Sequence, residues 1–293
     1  MEKLQRALQK AREQREGAAA PTPPDVSPAP NPGAGGPLLA QRRGGADPAG
    51  LSATAAANWN ALREFVPDPD LLVRNRILTM YPNRDATAFD ILRTKMRLLM
   101  ERNGWSRIAV TSPTAGCGKT TIAANIAIGF GRQPDLHAML FELDLRRPSL
   151  AKCLGLQPPN DVIRLMQGEV GAADQILRFG PNVAISASVK PSRDPTSILL
   201  DRRATRILAE IEEDFAPDLM LFDLPPLLVS DDSRAFLKEV DCVLIVAEAE
   251  RTTVAQLDTC EREVLEHTNV LGTVLNQCRI NTGKSVIGNY DYD

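Results

Sequence analysis

The chain has 293 residues, of which 43% are hydrophobic and 24% charged, and its formal net charge at pH 7 is -3. This composition excludes a wholly disordered or fibrous protein, and the slightly acidic balance argues against a dedicated nucleic-acid-binding domain. The sequence contains neither an apolar run of roughly 18 residues, as a membrane-spanning helix needs, nor a secretory signal at its N-terminus. Five cysteines without a C-x-x-C pair and two scattered histidines predict no disulfide framework and no metal cluster. We therefore expect a soluble, cytoplasmic protein.

The N-terminal part of the chain differs in composition from the rest. Residues 1–16 place Met1, Leu4 and Leu8 on one face of a short amphipathic helix, which could dock on a partner or a membrane surface. Residues 17–57 are predicted to be a disordered, Pro/Gly-rich tether, because eight prolines and seven glycines in residues 17–50 leave too little apolar surface to offset ordering entropy. A globular domain is expected over residues 58–280, followed by a flexible tail over residues 281–293.

Apolar segments alternate with helical patterns along the predicted domain. In chain order the pattern predicts a helix over 85–102, a strand over 107–111, a helix over 120–130 and further strands over 137–141, 218–222, 241–247 and 270–275. Strands that are apolar along their whole length and separated by helical spacers are typical of a parallel sheet covered on both faces. The fold class predicted from these elements is a three-layer α/β fold with a mostly parallel sheet.

A glycine-containing turn, Ser-Pro-Thr-Ala-Gly-Cys-Gly-Lys-Thr-Thr, connects the first strand to the next helix at the place where a phosphate-binding P-loop occurs. Its two glycines let backbone N–H groups converge on phosphate oxygens, and the helix directs its positive end there. Lys119 is expected to bridge the β- and γ-phosphates and the Thr120 hydroxyl to bind Mg²⁺. Pro113 replaces the first glycine of G-x-x-x-x-G-K-[ST]. The predicted nucleotide contacts are Thr114, Ala115, Gly116, Cys117, Gly118, Lys119, Thr120 and Thr121.

Carboxylates follow two of the predicted strands. Glu142 and Asp144 come after the second strand, and Asp223 closes the third. Ligands of a doubly wound sheet bind at these strand ends. An acid in such a position reaches a metal directly or through water, and a helix N-cap is the competing role, above all for one member of the Glu142/Asp144 pair.

The sequence resembles the bacterial tyrosine kinases (BY-kinases), the P-loop autokinases of capsule and exopolysaccharide assembly, over about residues 85–280. Three stretches carry the resemblance: Ala-Phe-Asp-Ile-Leu-Arg-Thr over 88–94, Glu-Leu-Asp-Leu-Arg-Arg-Pro-Ser-Leu over 142–150, and Phe-Asp-Leu-Pro-Pro over 222–226 with Ser-Asp-Asp after it. The second and third resemble the family's Walker A′ and Walker B stretches. Arg-Arg-Pro-Ser-Leu is the most specific, because generic P-loop proteins do not need it.

This resemblance implies a P-loop NTPase fold and an ATP-dependent protein-tyrosine (auto)kinase. It implies that Asp144 and Asp223 hold Mg²⁺ and that Glu142, where the family usually has Asp, is the candidate base for the tyrosine hydroxyl. Arg146 matches the Walker A′ arginine, which contacts phosphate or a neighbouring subunit. Asn276 falls where related folds contact the nucleotide base, and a strand-end cap is its other expected role.

The resemblance also implies partners. A chain without its own membrane segment resembles the soluble, split form of the family, which needs a membrane polysaccharide co-polymerase, the chain-length determinant, and reaches the membrane through it. A homo-oligomer is also implied, although Thr87, Asp90 and Arg93 retain only one residue of the oligomer-forming Glu-x-x-Arg-x-x-Arg. The expected phosphoacceptors are Tyr290 and Tyr292.

Two other functions remain open from the sequence. One is an ATP-binding regulator of the same polysaccharide machinery that transfers no phosphate. The other is a ParA/MinD-type positioning ATPase, against which Thr114 counts, because those proteins usually carry a signature lysine at that position.

Overall fold

The computed structural model describes residues 51–278. The predicted N-terminal helix, the tether up to residue 50 and the last fifteen residues, with Tyr290 and Tyr292, lie outside the described residues. None of the described helices combines the length and the apolar character needed to cross a membrane.

The described residues form one eight-stranded sheet in the order β1-β4-β5-β3-β6-β2-β7-β8. Neighbouring strands are parallel except for β4 and β5, so β1 and β4 run against the other six. The expected mostly parallel sheet is confirmed. The strands are β1 (Arg63–Phe65), β2 (Arg107–Thr111), β3 (Ala138–Glu142), β4 (Leu177–Phe179), β5 (Val183–Ser186), β6 (Leu219–Asp223), β7 (Cys242–Glu248) and β8 (Asn269–Asn276).

Helices cover both faces of the sheet. They are α1 (Ala53–Ala61), α2 (Pro69–Arg74), α3 (Thr87–Asn103), α4 (Lys119–Phe130), α5 (Leu150–Leu154), α6 (Val162–Met166), α7 (Ala172–Gln175), α8 (Pro195–Leu200), α9 (Arg202–Phe215), α10 (Asp231–Phe236) and α11 (Val254–Leu265). Short 3-10 turns precede α3 (Arg84–Ala86) and follow α10 (Leu237–Glu239).

Two apolar clusters lie on opposite faces of the sheet. On β3, Leu140 joins the cluster with α2 to α5, whereas Met139 and Phe141 join the cluster that contains residues of α1, α6 and α8 to α11. Because successive strand residues point to opposite faces, a strand with helices on both sides must be apolar throughout. The three-layer architecture is therefore confirmed.

The five predicted strands are present to within about one residue, but three short strands were not predicted. β1, β4 and β5 have three or four residues each, and Arg178 interrupts the apolar character of β4. Stretches this short do not show a strand pattern.

The predicted boundary between tether and domain at residue 57 is wrong, because α1 already begins at Ala53. Ser52 caps this helix by accepting a hydrogen bond from the Ala55 backbone, and Trp59 buries its indole and donates to the Phe215 carbonyl (2.8 Å). Its alanine-rich sequence resembles the tether, but one buried tryptophan anchors it to the fold.

Candidate active site

The phosphate loop lies at the sheet edge where the parallel strands end. It leaves β2 after Thr111 and enters α4 at Lys119, and β3 and β6 end beside it at Glu142 and Asp223, which are paired in register. The loop and the three predicted carboxylates therefore meet at one edge, as the strand-end argument predicts.

The two loop glycines adopt a left-handed backbone that other residues rarely tolerate, with φ of +89° at Gly116 and +86° at Gly118. Hydrogen bonds within the loop stabilise its conformation. The buried Cys117 thiol donates to the Thr114 carbonyl (3.2 Å), and the Ser112 hydroxyl donates to the same oxygen (2.6 Å). Ala115 and Gly116 are exposed and Thr121 lies half-buried in the first turn of α4. This arrangement leaves the outer side of the loop open.

Lys119 and Asp144 face each other within the site. The Lys119 Nζ lies 3.9 Å from Asp144 Oδ2, and both side chains are buried. Burial raises the pKa of Asp144 above its usual value, although the Lys119 charge acts in the opposite direction. The site therefore places a buried cation beside a buried anion.

Thr120 and Asp223 form the second contact of the site. The Thr120 hydroxyl donates to Asp223 Oδ2 (2.6 Å), and Asp223 Oδ1 is buried without a hydrogen-bond partner among the described residues. Burial raises the pKa of Asp223 to about 6, against the opposing effects of Lys119 and of the Thr120 hydroxyl. An unsatisfied buried carboxylate oxygen is costly and calls for a cation.

These residues fit Mg²⁺ shared with a nucleotide. Over residues 51–278 no group of three or more His, Cys, Asp and Glu side chains forms a metal site of its own. Mg²⁺ bound with phosphates, however, needs only one or two carboxylates or hydroxyls from the protein. Thr120, Asp144 and Asp223 supply hard oxygen donors of this kind.

Glu142 is fully buried, and its two oxygens already accept three backbone hydrogen bonds. Oε1 accepts from the N–H groups of Ser149 and Leu150 (2.5 and 2.7 Å), and Oε2 accepts from Ser188 (2.9 Å). Burial raises the pKa of Glu142 to about 7, although these N–H groups favour the charged form. The capping role left open for one member of the Glu142/Asp144 pair is the one that Glu142 adopts here.

Two of the predicted nucleotide contacts are bonded to other residues of the chain. Arg146 forms a bidentate ion pair with the buried Asp232 (2.6 and 3.0 Å). Asn276, at the end of β8, donates to the Cys117 carbonyl (2.8 Å), and its neighbour Gln277 donates to Gly116 (2.9 Å). Asp232 and Gln277 were not predicted as site residues, and only the Ser-Asp-Asp stretch after the Walker B motif pointed to the first.

The curated relatives of the chain include bacterial tyrosine-protein kinases. No protein-family model matches it. EpsB of Ralstonia nicotianae is 27% identical over 210 residues, which cover 69% of this chain and 27% of EpsB. The tyrosine-protein kinase Wzc of Salmonella typhi is 24% identical over 206 residues, covering 69% of this chain and 28% of Wzc. The chain therefore spans about a quarter of the length of these relatives.

Solved structures share the fold of the chain. The kinase domain of the Escherichia coli tyrosine kinase ETK superposes with a TM-score of 0.65 at 20% identity, covering 78% of this chain and 88% of that domain. The resemblance to the bacterial tyrosine kinases is confirmed. A cobyrinic acid a,c-diamide synthase from Mycobacterium smegmatis, solved with an ATP analog and magnesium, shares the P-loop fold more distantly, with a TM-score of 0.50 at 19% identity over 58% of this chain and 72% of that one.

The oligomer motif of the bacterial tyrosine kinases falls on α3 at Thr87, Asp90 and Arg93. Asp90 accepts a hydrogen bond from Arg132 (2.8 Å) and pairs with Arg93 (3.2 Å), and Arg93 donates to the Gly129 carbonyl (2.9 Å). The two charged residues that occupy this motif are thus bonded within the chain.

Proposed function

We propose that the chain is the kinase part of an ATP-dependent protein-tyrosine autokinase that regulates exopolysaccharide or capsule polymerisation and export. The observation that carries the proposal is the meeting of Lys119, Thr120, Asp144 and Asp223 at one strand edge. The similarity to tyrosine-protein kinases, and the Arg-Arg-Pro-Ser-Leu extension of the Walker A′ stretch, select this function among those of P-loop proteins.

Phosphoryl transfer depends on positioning and charge stabilisation more than on covalent help from the protein. The loop from Thr114 to Thr121 would bind the ATP phosphates through its backbone N–H groups, and Lys119 would neutralise charge on the β- and γ-phosphates. Thr120, Asp144 and Asp223 would hold Mg²⁺, which neutralises charge on the transferred phosphate. Arg146 would need to leave Asp232 to contact a phosphate.

The proposal extends to the acceptor and the partner through the family resemblance. Tyr290 and Tyr292 would be the phosphoacceptors, and a membrane polysaccharide co-polymerase would bring the chain to the inner face of the plasma membrane. Each phosphate adds a charge of about -1.5 to -2. Beside Asp291 and Asp293 this charge would repel the tail from an acidic site and weaken an oligomer held through it.

A second candidate function has one observation in its favour. Glu142, the candidate base, is engaged by three backbone N–H groups, as expected for a regulator that binds ATP without transferring phosphate. A positioning ATPase is less well supported, because Thr114 stands in place of its signature lysine.

Labelled ATP distinguishes these functions. The full chain is incubated with γ-labelled ATP and Mg²⁺, with and without a candidate membrane partner. We expect label on tyrosine, and its loss in Lys119→Ala and in the Tyr290→Phe/Tyr292→Phe double variant. Lys238→Ala, which changes an exposed lysine outside the site, is the matched control and should retain the label. ATP hydrolysis without phosphotyrosine under every partner condition would reject the kinase.

A further inference from the structure

Ser149, in the Walker A′ segment, lies beside the proposed magnesium site. Its Oγ is 3.1 Å from Thr120 Oγ1. The Thr120 hydroxyl has a single hydrogen, which it donates to Asp223 Oδ2 at 2.6 Å. Ser149 must therefore be the donor in its contact with Thr120, because Thr120 has no second hydrogen to give.

These two contacts fix the orientation of the Thr120 hydroxyl. A hydroxyl oxygen carries one hydrogen and two lone pairs. Here the hydrogen points to Asp223 and one lone pair receives the hydrogen of Ser149. The direction of the remaining lone pair is thereby determined, and it is the one available to a metal ion.

Glu142 in turn fixes Ser149. Its Oε1 accepts from the backbone N–H of Ser149 and from that of Leu150, and its Oε2 accepts from Ser188. Three of the roughly four lone-pair positions of the carboxylate are occupied in this way. The side chain is also fully buried, so it presents no open oxygen to a tyrosine hydroxyl arriving from solvent.

We propose that Glu142 and Ser149 act together as positioning residues for the magnesium site: Glu142 fixes the backbone of Ser149, and Ser149 orients the hydroxyl of Thr120. The inference rests on the nucleotide site of the proposed function and replaces the role of proton acceptor predicted for Glu142. Partners that orient metal ligands in this way commonly contribute about 10- to 100-fold to metal affinity.

Nucleotide binding by the full chain tests this inference without requiring phosphate transfer. A fluorescent ADP analogue is titrated in Mg²⁺ and in EDTA. The dissociation constant in EDTA divided by the one in Mg²⁺ measures the coupling between metal and nucleotide. Ser149→Ala should lower this ratio by about tenfold or more while binding in EDTA stays unchanged. Ser149→Thr, which keeps the hydroxyl, should retain most of the coupling. Ser197→Ala, which removes an exposed hydroxyl on α8, is the control and should match the wild type.

Glu142→Gln should lower the same ratio, because an amide has only one acceptor oxygen and cannot accept from all three N–H groups. Circular dichroism melting reports whether this variant folds; where it does not, Ser149→Ala decides, since that side chain is exposed and its loss leaves the core unchanged. An unchanged ratio in folded Ser149→Ala overturns the inference. Binding of ADP to the wild type with the same affinity in Mg²⁺ and in EDTA also overturns it.

The two proposals can fail separately. If metal–nucleotide coupling depends on Ser149 but no tyrosine is labelled, the kinase function is rejected and the positioning role of Glu142 and Ser149 is retained.

Discussion

At the scale of single residues, the two glycines of the phosphate loop serve different purposes. A Cβ at Gly118 would lie 2.3 Å from the Asn276 amide nitrogen, whereas one at Gly116 would meet nothing within 4 Å. Both have positive φ, so both favour glycine for their backbone. Only Gly118 also needs the empty space, because the end of β8 packs directly against it.

Gly118→Ala should therefore cost more than backbone strain alone. We expect its free energy of unfolding to fall by about 2–4 kcal/mol. The left-handed backbone conformation costs alanine about 1–2 kcal/mol, and displacement of the Asn276 side chain adds to this cost. Gly104→Ala, with φ of +68° and open space around it, supplies the strain without the contact. Urea unfolding of both variants measures the difference, and equal losses would show that Asn276 moves away at no cost.

Two buried carboxyls should make the stability of the metal-free chain depend on pH. The pKa values of Asp223 and Glu142 are about 6 and about 7 in the folded chain, against roughly 4 for such groups when unfolded. The folded chain thus holds more protons between about pH 4 and 7, so its free energy of unfolding falls as the pH rises through this range.

Asp223→Asn should flatten this dependence. Without the charge at this position, the change in unfolding free energy between pH 5 and 8 should be smaller than in the wild type by about 1–2 kcal/mol. Urea titrations in EDTA measure it. The exposed Asp258 provides a matched control, since Asp258→Asn should keep the wild-type dependence. If the unfolding free energy of Asp223→Asn changes with pH as much as that of the wild type, the pH dependence comes from other groups.

At the scale of elements, Asp232 joins three segments around the site. Besides the two bonds from Arg146 of the Walker A′ segment, it accepts from Thr196 of α8 and from Ser230, the cap of α10. The Asp232 side chain is fully buried while that of Arg146 is half-exposed. One carboxylate therefore holds the loop after β3 against two helices of the neighbouring layer.

A double-mutant cycle of Arg146→Ala and Asp232→Asn should give a coupling energy of about 1–3 kcal/mol, because the pair is bidentate and one partner is desolvated. The exposed pair Arg206 and Glu210 on α9, 3.6 Å apart, is the control and should give about 0.5 kcal/mol or less. Urea unfolding supplies the four free energies of each cycle. Equal coupling in the two pairs would mean that Asp232 does not hold the loop through Arg146.

The elements also show which parts of the site the sequence could predict. The long buried strands and the phosphate loop were predictable, because continuous apolar runs and Gly-x-Gly-Lys-Thr-Thr are local patterns. The contact between Glu142 and Ser188 was not, since Ser188 is 46 residues away and reaches Glu142 only when β5 pairs with β3. The Ser-Asp-Asp stretch drew attention to Asp232, but its pairing with Arg146, 86 residues away, was not predictable from the sequence.

At the scale of the whole molecule, the start of the described chain is bound to the sheet edge opposite the phosphate loop. Trp59 of α1 packs against Phe215 at the end of α9 and lies 5.0 Å, ring centre to ring centre, from His137, which precedes β3. Two donors from this helix, Asn58 and Trp59, reach the carbonyls of Asp214 and Phe215. The helix therefore belongs to the domain and not to the predicted tether.

Two truncations should separate these parts. Removing residues 1–50 should leave the thermal unfolding midpoint and nucleotide binding unchanged, because the described core lies within 51–278. Removing residues 1–62 should lower the free energy of unfolding by about 3–5 kcal/mol, mainly through the loss of Trp59. Calorimetry of both compares them with the full chain. A lowered midpoint in the shorter truncation would assign a stabilising role to residues 1–50.

The bonds from Asn276 and Gln277 to the phosphate loop have a kinetic consequence for the tail. Tyr290 follows Cys278, the last described residue, by 12 positions, and that many residues extend at most roughly 40 Å. The flexible tail predicted from the sequence would hold its tyrosines near their own chain's loop at a local concentration on the order of millimolar. Under the proposed function, labelling of the tail in a solution dilute enough to keep the chain monomeric should be first order in protein. A tyrosine peptide added as a separate substrate should compete with the tail only when its concentration is also on the order of millimolar.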